Sequence, residues 1–242
     1  MEKVFNRREF LQTAGTSAVA LGLAGCASYG GLWGEEQVKK RPNIIFLLTD
    51  DQRDNTLGVM GHQWVKTPNL DKLVKKGVRF SNAYIAEPIC CPSRVSFLTG
   101  MYERVHGVGF TSSYKLNEAQ WSKSYPALLR ANGYYTGFIG KFGVEYYTFR
   151  GQTEKKFDYY KGHDGWAVFF PKSVTEVPAL DHARVAYQDC EQDIITPIMG
   201  ECIKRFLDSV PENKPFNLSV SFSVPHASTT GTCLLYTSDA AD

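Results

Sequence analysis

Pro42-Asn43-Ile44-Ile45-Phe46-Leu47-Leu48-Thr49-Asp50-Asp51 runs from a proline through an unbroken apolar stretch to a pair of acids. A short continuous apolar run with a polar stop is the pattern of a central strand in a parallel sheet, buried on both faces. A helix pattern comes next, over 68–77. Pro68 falls in the first turn, Thr67 is a suitable cap, Leu70, Leu73 and Val74 share a face, and Gly77 ends it. Residues 78–86 read as a second strand. A short helix over 124–132 leads into a third strand over 135–139, and a long helix over 189–209 precedes a strand over 216–222. Residues 142–180 read as aromatic-rich loop around a small apolar nucleus at Phe157-Asp158-Tyr159-Tyr160. The alternation predicts an α/β fold, a mostly parallel or mixed central sheet flanked by helices on both faces. In such sheets functional groups collect at the carboxyl ends of strands. Asp50, Asp51, Lys141 and His226 each come just after a predicted strand.

The chain has 242 residues, 43% apolar and 21% charged, with a net charge of +2. It is long enough for a substantial core. Its charge is too small to argue for nucleic acid as a partner.

The two ends read differently. Asn6-Arg7-Arg8-Glu9-Phe10-Leu11 is a twin-arginine pattern, and Ala18 to Ala24 is a short apolar stretch. Leu23-Ala24-Gly25-Cys26 resembles a lipobox. Residues 1–25 are therefore expected to be a twin-arginine lipoprotein signal, with Cys26 the lipidated residue and 26–40 a tether. That places the protein in the bacterial periplasm or on the cell surface, delivered by the twin-arginine translocase and held to the membrane by lipid. Residues 233–242, Cys233-Leu234-Leu235-Tyr236-Thr237-Ser238-Asp239-Ala240-Ala241-Asp242, resemble a translated sequencing adapter. They are expected to be an artefact, with the natural protein continuing well beyond residue 232.

Cys90-Cys91-Pro92-Ser93-Arg94, with Leu98-Thr99-Gly100 after it, carries the chemistry. It matches the signature Cys-x-Pro-Ser-Arg with Thr-Gly at the required offset, and on it the chain resembles the formylglycine-dependent sulfatases of the alkaline phosphatase superfamily. The resemblance spans about 41–227, so residues 41–232 are expected to form an incomplete N-terminal catalytic domain with an alkaline-phosphatase-like fold.

That resemblance implies that Cys90 is oxidised to formylglycine by a formylglycine-generating or anaerobic sulfatase-maturing enzyme. The hydrated aldehyde attacks sulfur, the alcohol leaves, and its second hydroxyl expels sulfate. Pro92 opens a helix whose N-terminus faces the anion, and Arg94 lowers the pKa of the attacking hydroxyl. Asp50 and Asp51, with modified Cys90, resemble the ligands of a divalent cation, and hard carboxylates suit Ca²⁺ or Mg²⁺.

Gly133-Tyr134-Tyr135-Thr136-Gly137-Phe138-Ile139-Gly140-Lys141 resembles the second family motif, which makes Lys141 a sulfate contact. Many members continue with an aromatic residue and a histidine, whereas this chain has Phe142-Gly143. Pro225-His226 resembles the segment whose histidine contacts sulfate and donates to the leaving group. The other histidines, His62, His106, His163 and His182, are expected on the surface or behind the direct contacts.

The expected activity is hydrolysis of sulfate from a sulfated carbohydrate. Two alternatives stay open, a phosphonate monoester or phosphodiester hydrolase of the same superfamily and a non-catalytic glycan-binding lipoprotein. Further ligands and a second lysine are expected beyond His226, so the 242-residue chain alone is expected to be inactive and poorly folded. No disulfide is expected. If one helix over 189–209 carried both Cys190 and Cys202, they would lie ~18 Å apart.

Overall fold

In the computed structural model, residues 41–110, 116–144, 152–163, 171 and 185–226 are described. The chain divides into two units, Met1–Arg41 and Pro42–Asp242, and the second holds the sheet and its helices. The expected signal, Cys26, His182 and residues 233–242 lie outside the described residues.

Among the described residues, four parallel strands form one sheet in the order β1 (Ile44–Asp50), β4 (Phe216–Pro225), β2 (Tyr135–Lys141), β3 (Tyr159–His163). The helices are α1 (Pro68–Lys76), α2 (Cys90–Thr99), α3 (Glu103–His106), α4 (Glu118–Trp121), α5 (Tyr125–Ala131) and α6 (Ile195–Ser209). The α/β architecture with helices on both faces is as expected. Adjacent residues of β2 show the two faces, since successive strand side chains point opposite ways. Phe138 packs with Val95 and Leu98 of α2 and with Trp121, Phe142 and Phe157. Ile139 packs with Ile195, Ile198, Met199, Cys202 and Phe206 of α6 and with Leu218 and Val220 of β4.

Four expectations need correction. β4, not β1, is central. β1 is an edge of the described sheet, and Ile45 and Leu47 on its outer face are 55% and 50% exposed. Residues 78–86 form no strand. Their alternation of apolar and polar residues finds no pairing partner, and Val78 and Tyr84 are 82% and 90% exposed. The nucleus at 157–160 is instead the start of β3, five residues that hydrogen-bond to β2 from Gly137↔Tyr159 to Lys141↔His163. Finally, the long helix begins at Ile195, so Cys190 precedes it.

Local chemistry explains the ends of the elements. In α5 the Ser124 hydroxyl accepts from Ala127 N–H, and Pro126 sits in the first turn where no donor is needed. Thr67 does not cap α1. Its hydroxyl accepts from Gly58 N–H at 2.8 Å and donates to Asp71 at 2.8 Å. Gly100 stops α2 at φ 70°, the left-handed geometry glycine adopts without a Cβ penalty, and its N–H donates to Ser96 O.

Candidate active site

All four strands run parallel, so their carboxyl ends meet at one edge. β1 delivers Asp50, β2 Lys141, β3 His163, and β4 Ser221, Ser223 and then His226. Cys90 opens α2 beside them, and burial anchors Pro92, Arg94, Val95 and Leu98 of that helix.

Asp50 sits at the centre of the cluster. Its Oδ2 lies 2.5 Å from Lys141 Nζ and 3.4 Å from Arg94 Nη2, with all three side chains buried. Arg94 Nη1 donates to Lys141 O at 2.6 Å and, in a very short contact, to Ser221 Oγ. One carboxylate thus faces two cations, and the surplus of positive charge favours an anion. Arg94 Nε and Nη2 are buried without a hydrogen-bond acceptor among the described residues, and the Asp50 contact is within ion-pair range but not aligned as a hydrogen bond. Unmet buried donors of this kind are costly unless an acceptor reaches them. Burial pushes the Arg94 guanidinium below its ordinary pKa, opposed by Asp50, Cys90 and Cys91.

Cys90 is half-buried at the start of the helix that carries Arg94. Cys91 turns away and donates its thiol to Val144 O at 2.9 Å.

Asp51 takes no part in this cluster. It has a left-handed backbone at φ 57° and lines an open cleft of about 650 Å³ with Thr49, Gln52, Arg53, Val224 and Pro225. His226 comes directly after the cis Val224–Pro225 bond, and Pro225, the register partner of Asp50, lines that cleft.

At Gly143 φ is 57° and a Cβ would lie 3.0 Å from Arg94 Cδ and 3.4 Å from Lys141 Cε. The backbone itself packs against both cations. On β2, Gly140 passes Ser221 O so closely, at φ 97°, that no Cβ fits.

His163 was expected at the surface or behind the direct contacts. It is fully buried beside Lys141, its register partner. Tyr187 Oη donates to Lys161 O at 3.0 Å, which commits the only hydroxyl proton. His163 Nδ1, 3.1 Å from that oxygen, must therefore donate, and Nε2 is left to accept from Ser223 Oγ at 3.4 Å. Burial first, then Lys141 and Arg94, drive the His163 pKa down to about 3, so the imidazole is neutral. Ser221 and Ser223 are further members of the site that sequence reasoning missed. Their signal was period-two serine on a strand otherwise rich in apolar residues.

The sulfatase family profile matches residues 42–239. The chain belongs to the sulfatase family. Among relatives, it is 30% identical over 214 residues to an N-acetylglucosamine-6-O-sulfatase of Bacteroides thetaiotaomicron, covering 86% of this chain and 34% of that one. It is 37% identical over 190 residues to an ulvan-active sulfatase of Formosa agariphila, covering 77% and 36%. The crystal structure of Ps i-CgsB in complex with k-i-k-neocarrahexaose superposes with a TM-score of 0.60 at 27% identity, covering 77% of this sulfatase and 46% of that chain. The chain thus spans between a third and half of the length of these relatives.

Proposed function

We propose that the whole protein is a sulfuric ester hydrolase acting on a sulfated carbohydrate, and that this chain carries its nucleophile and part of its anion site. The observation that supports this reading is the convergence of Arg94 and Lys141 on one buried carboxylate, with guanidinium donors left for an anion and Cys90 at the start of the helix that carries Arg94.

Cys90 is the position for formylglycine, made by a maturation enzyme, and the hydrated aldehyde supplies the attacking hydroxyl. Arg94, fixed by Lys141 O and Ser221, holds positive charge against that hydroxyl and lowers its pKa. Lys141 sits deep enough in protein to keep its charge poorly screened, and it draws the sulfate in and steadies charge on the leaving oxygen. His226, next after Pro225 of the cleft, is the proton donor to the departing alcohol.

The donor set fits a hard divalent cation in part. Asp50 and Asp51 offer carboxylate oxygens, whereas no cluster of three or more His, Cys, Asp or Glu gathers among the described residues. Ca²⁺ takes six or more oxygens. Asp50, Asp51 and modified Cys90 would therefore hold Ca²⁺ or Mg²⁺ only together with ligands from elsewhere. When bound, the cation polarises sulfate oxygens.

The reading includes twin-arginine export and lipid anchoring at Cys26 in the periplasm or at the cell surface. It holds that the 242-residue chain alone is inactive. The test compares kcat/KM of the matured whole protein on sulfate and phosphate esters of the same alcohol, including N-acetylglucosamine 6-sulfate. A sulfate preference supports the proposal, and a phosphate or phosphonate preference overturns it. Glycan binding with no turnover of either ester also overturns it.

A further inference from the structure

Cys190 and Cys202 were expected to lie far apart on one helix. Instead α6 begins at Ile195, and the chain before it folds back so that the two sulfurs touch at 3.8 Å. Both are buried, and both are free thiols. The fold-back is held at several points. Cys190 N–H donates to Tyr187 O at 3.1 Å, and the N–H groups of Glu191 and Gln192 each donate to the Glu201 carboxylate at 3.0 Å. Asp189 is gripped by Lys161 of β3 and by Arg205 of α6. The pair is therefore presented by fixed backbone on both sides.

We propose that Cys190 and Cys202 are a disulfide-forming pair, which closes when the folded chain meets a disulfide oxidant. The inference rests on this local geometry and not on the catalytic reading. A disulfide requires sulfurs at about 2.05 Å, and here they already stand in van der Waals contact at 3.8 Å.

The chemistry balances with a disulfide such as oxidised glutathione as co-reactant. Cys190 loses its proton and attacks one sulfur of the oxidant, giving a mixed disulfide and releasing one thiol. Cys202 then loses its proton and attacks Cys190 Sγ, forming the Cys190–Cys202 bond and releasing the second thiol. Two electrons pass from the cysteine pair to the oxidant, and the two protons end on the released thiols. Cys190 is the entry point because it is the less buried of the two thiols, 4% exposed against none for Cys202. Burial drives the Cys202 thiol up to about 12, so its attack on the mixed disulfide is the slower step.

The bond would join α6 to the segment carrying Tyr187, whose hydroxyl receives the His163 Nδ1 proton at the end of β3. It would thus stiffen the wall behind Lys141.

The test is a peptide map of the whole protein under three conditions: as purified, after excess oxidised glutathione, and after dithiothreitol, with free thiols alkylated in denaturant. After glutathione the expected result is a linked pair of peptides carrying Cys190 and Cys202, lighter by two hydrogens. Dithiothreitol should abolish the link and lower Tm by about 5–10 °C. A Cys190→Ala/Cys202→Ala variant should show no dithiothreitol dependence, and the peptide map stands alone if that variant misfolds. Recovery of both cysteines alkylated after oxidation overturns the proposal. So does a glutathione adduct at Cys190 with Cys202 still alkylated, because the pair then failed to close.

Discussion

Lys141 Nζ lies 2.5 Å from Asp50 Oδ2, and protein seals both groups from water. A buried pair of this kind adds little net stability compared with an apolar substitute, yet breaking it is expensive because one charge stays behind unpaired. Here the third member, Arg94 at 3.4 Å from the same oxygen, makes the two halves unequal. Without Asp50 two cations face each other. Without Lys141 the carboxylate still has a partner.

Asp50→Ala should therefore destabilise the fold more than Lys141→Ala. About 3–5 kcal/mol is expected for Asp50→Ala and roughly half of that for Lys141→Ala. Urea unfolding measures both. Equal losses would show that Arg94 does not share the Asp50 charge.

Arg94→Lys keeps the charge and loses the fork that reaches Lys141 O, Ser221 Oγ and Asp50 together. Arginine and lysine are not equivalent at such a site. In the matured whole protein kcat should fall by about 10²-fold or more, with a smaller change in KM, as when an aligned transition-state contact is lost. Steady-state kinetics on an aryl sulfate reads the split.

His163 gives a pH prediction with a definite sign. Its pKa is near 6.5 unfolded and about 3 folded. Between those values the unfolded chain binds a proton that the native chain does not. Its contribution to stability is complete above pH 6.5 and is lost as pH falls towards 3, by about 1.4 kcal/mol per unit. His163→Gln should flatten that slope between pH 6 and pH 4 relative to the unsubstituted protein. Urea midpoints across the range check it. Parallel slopes in the two proteins would mean that the imidazole is solvated.

Gly143→Ala probes the backbone that packs beside Arg94 and Lys141. A Cβ there meets Arg94 Cδ at 3.0 Å on a left-handed backbone. A loss of about 1–2 kcal/mol is expected in urea unfolding, together with lower kcat as Arg94 shifts. Gly143→His should be no better, since the imidazole would have to displace the guanidinium. Higher activity in Gly143→His would show that the site has room for it.

Much of this was legible in the sequence because local signals agreed with the fold. The apolar run ending at Asp50, the Pro92 turn of α2 and the period-two pattern of β4 each led to the right element. Residues 78–86 satisfied the same strand rules and failed for want of a neighbouring strand, which no local pattern records. β3 was missed for the opposite reason. Lys161, Gly162 and His163 are poor strand residues, and pairing with β2 overrides them. The helix over 189–209 came out six residues too long at its start, because Asp189 is drawn to Lys161 and Arg205. That error hid the Cys190–Cys202 contact, and missing β3 hid His163. Tertiary pairing brings both together, and sequence spacing is silent on it.

The chemistry proposed for this protein stands or falls at Cys90, and mass spectrometry of the peptide that contains it is the most direct measurement. The whole protein should be co-expressed with a sulfatase-maturation enzyme, and its Cys90→Ala variant assayed beside it. An aldehyde at residue 90, trapped as its hydrazone, is expected, with no sulfate release by the variant. An intact thiol at residue 90 in protein that still releases sulfate would contradict the formylglycine mechanism, as would full activity in the alanine variant.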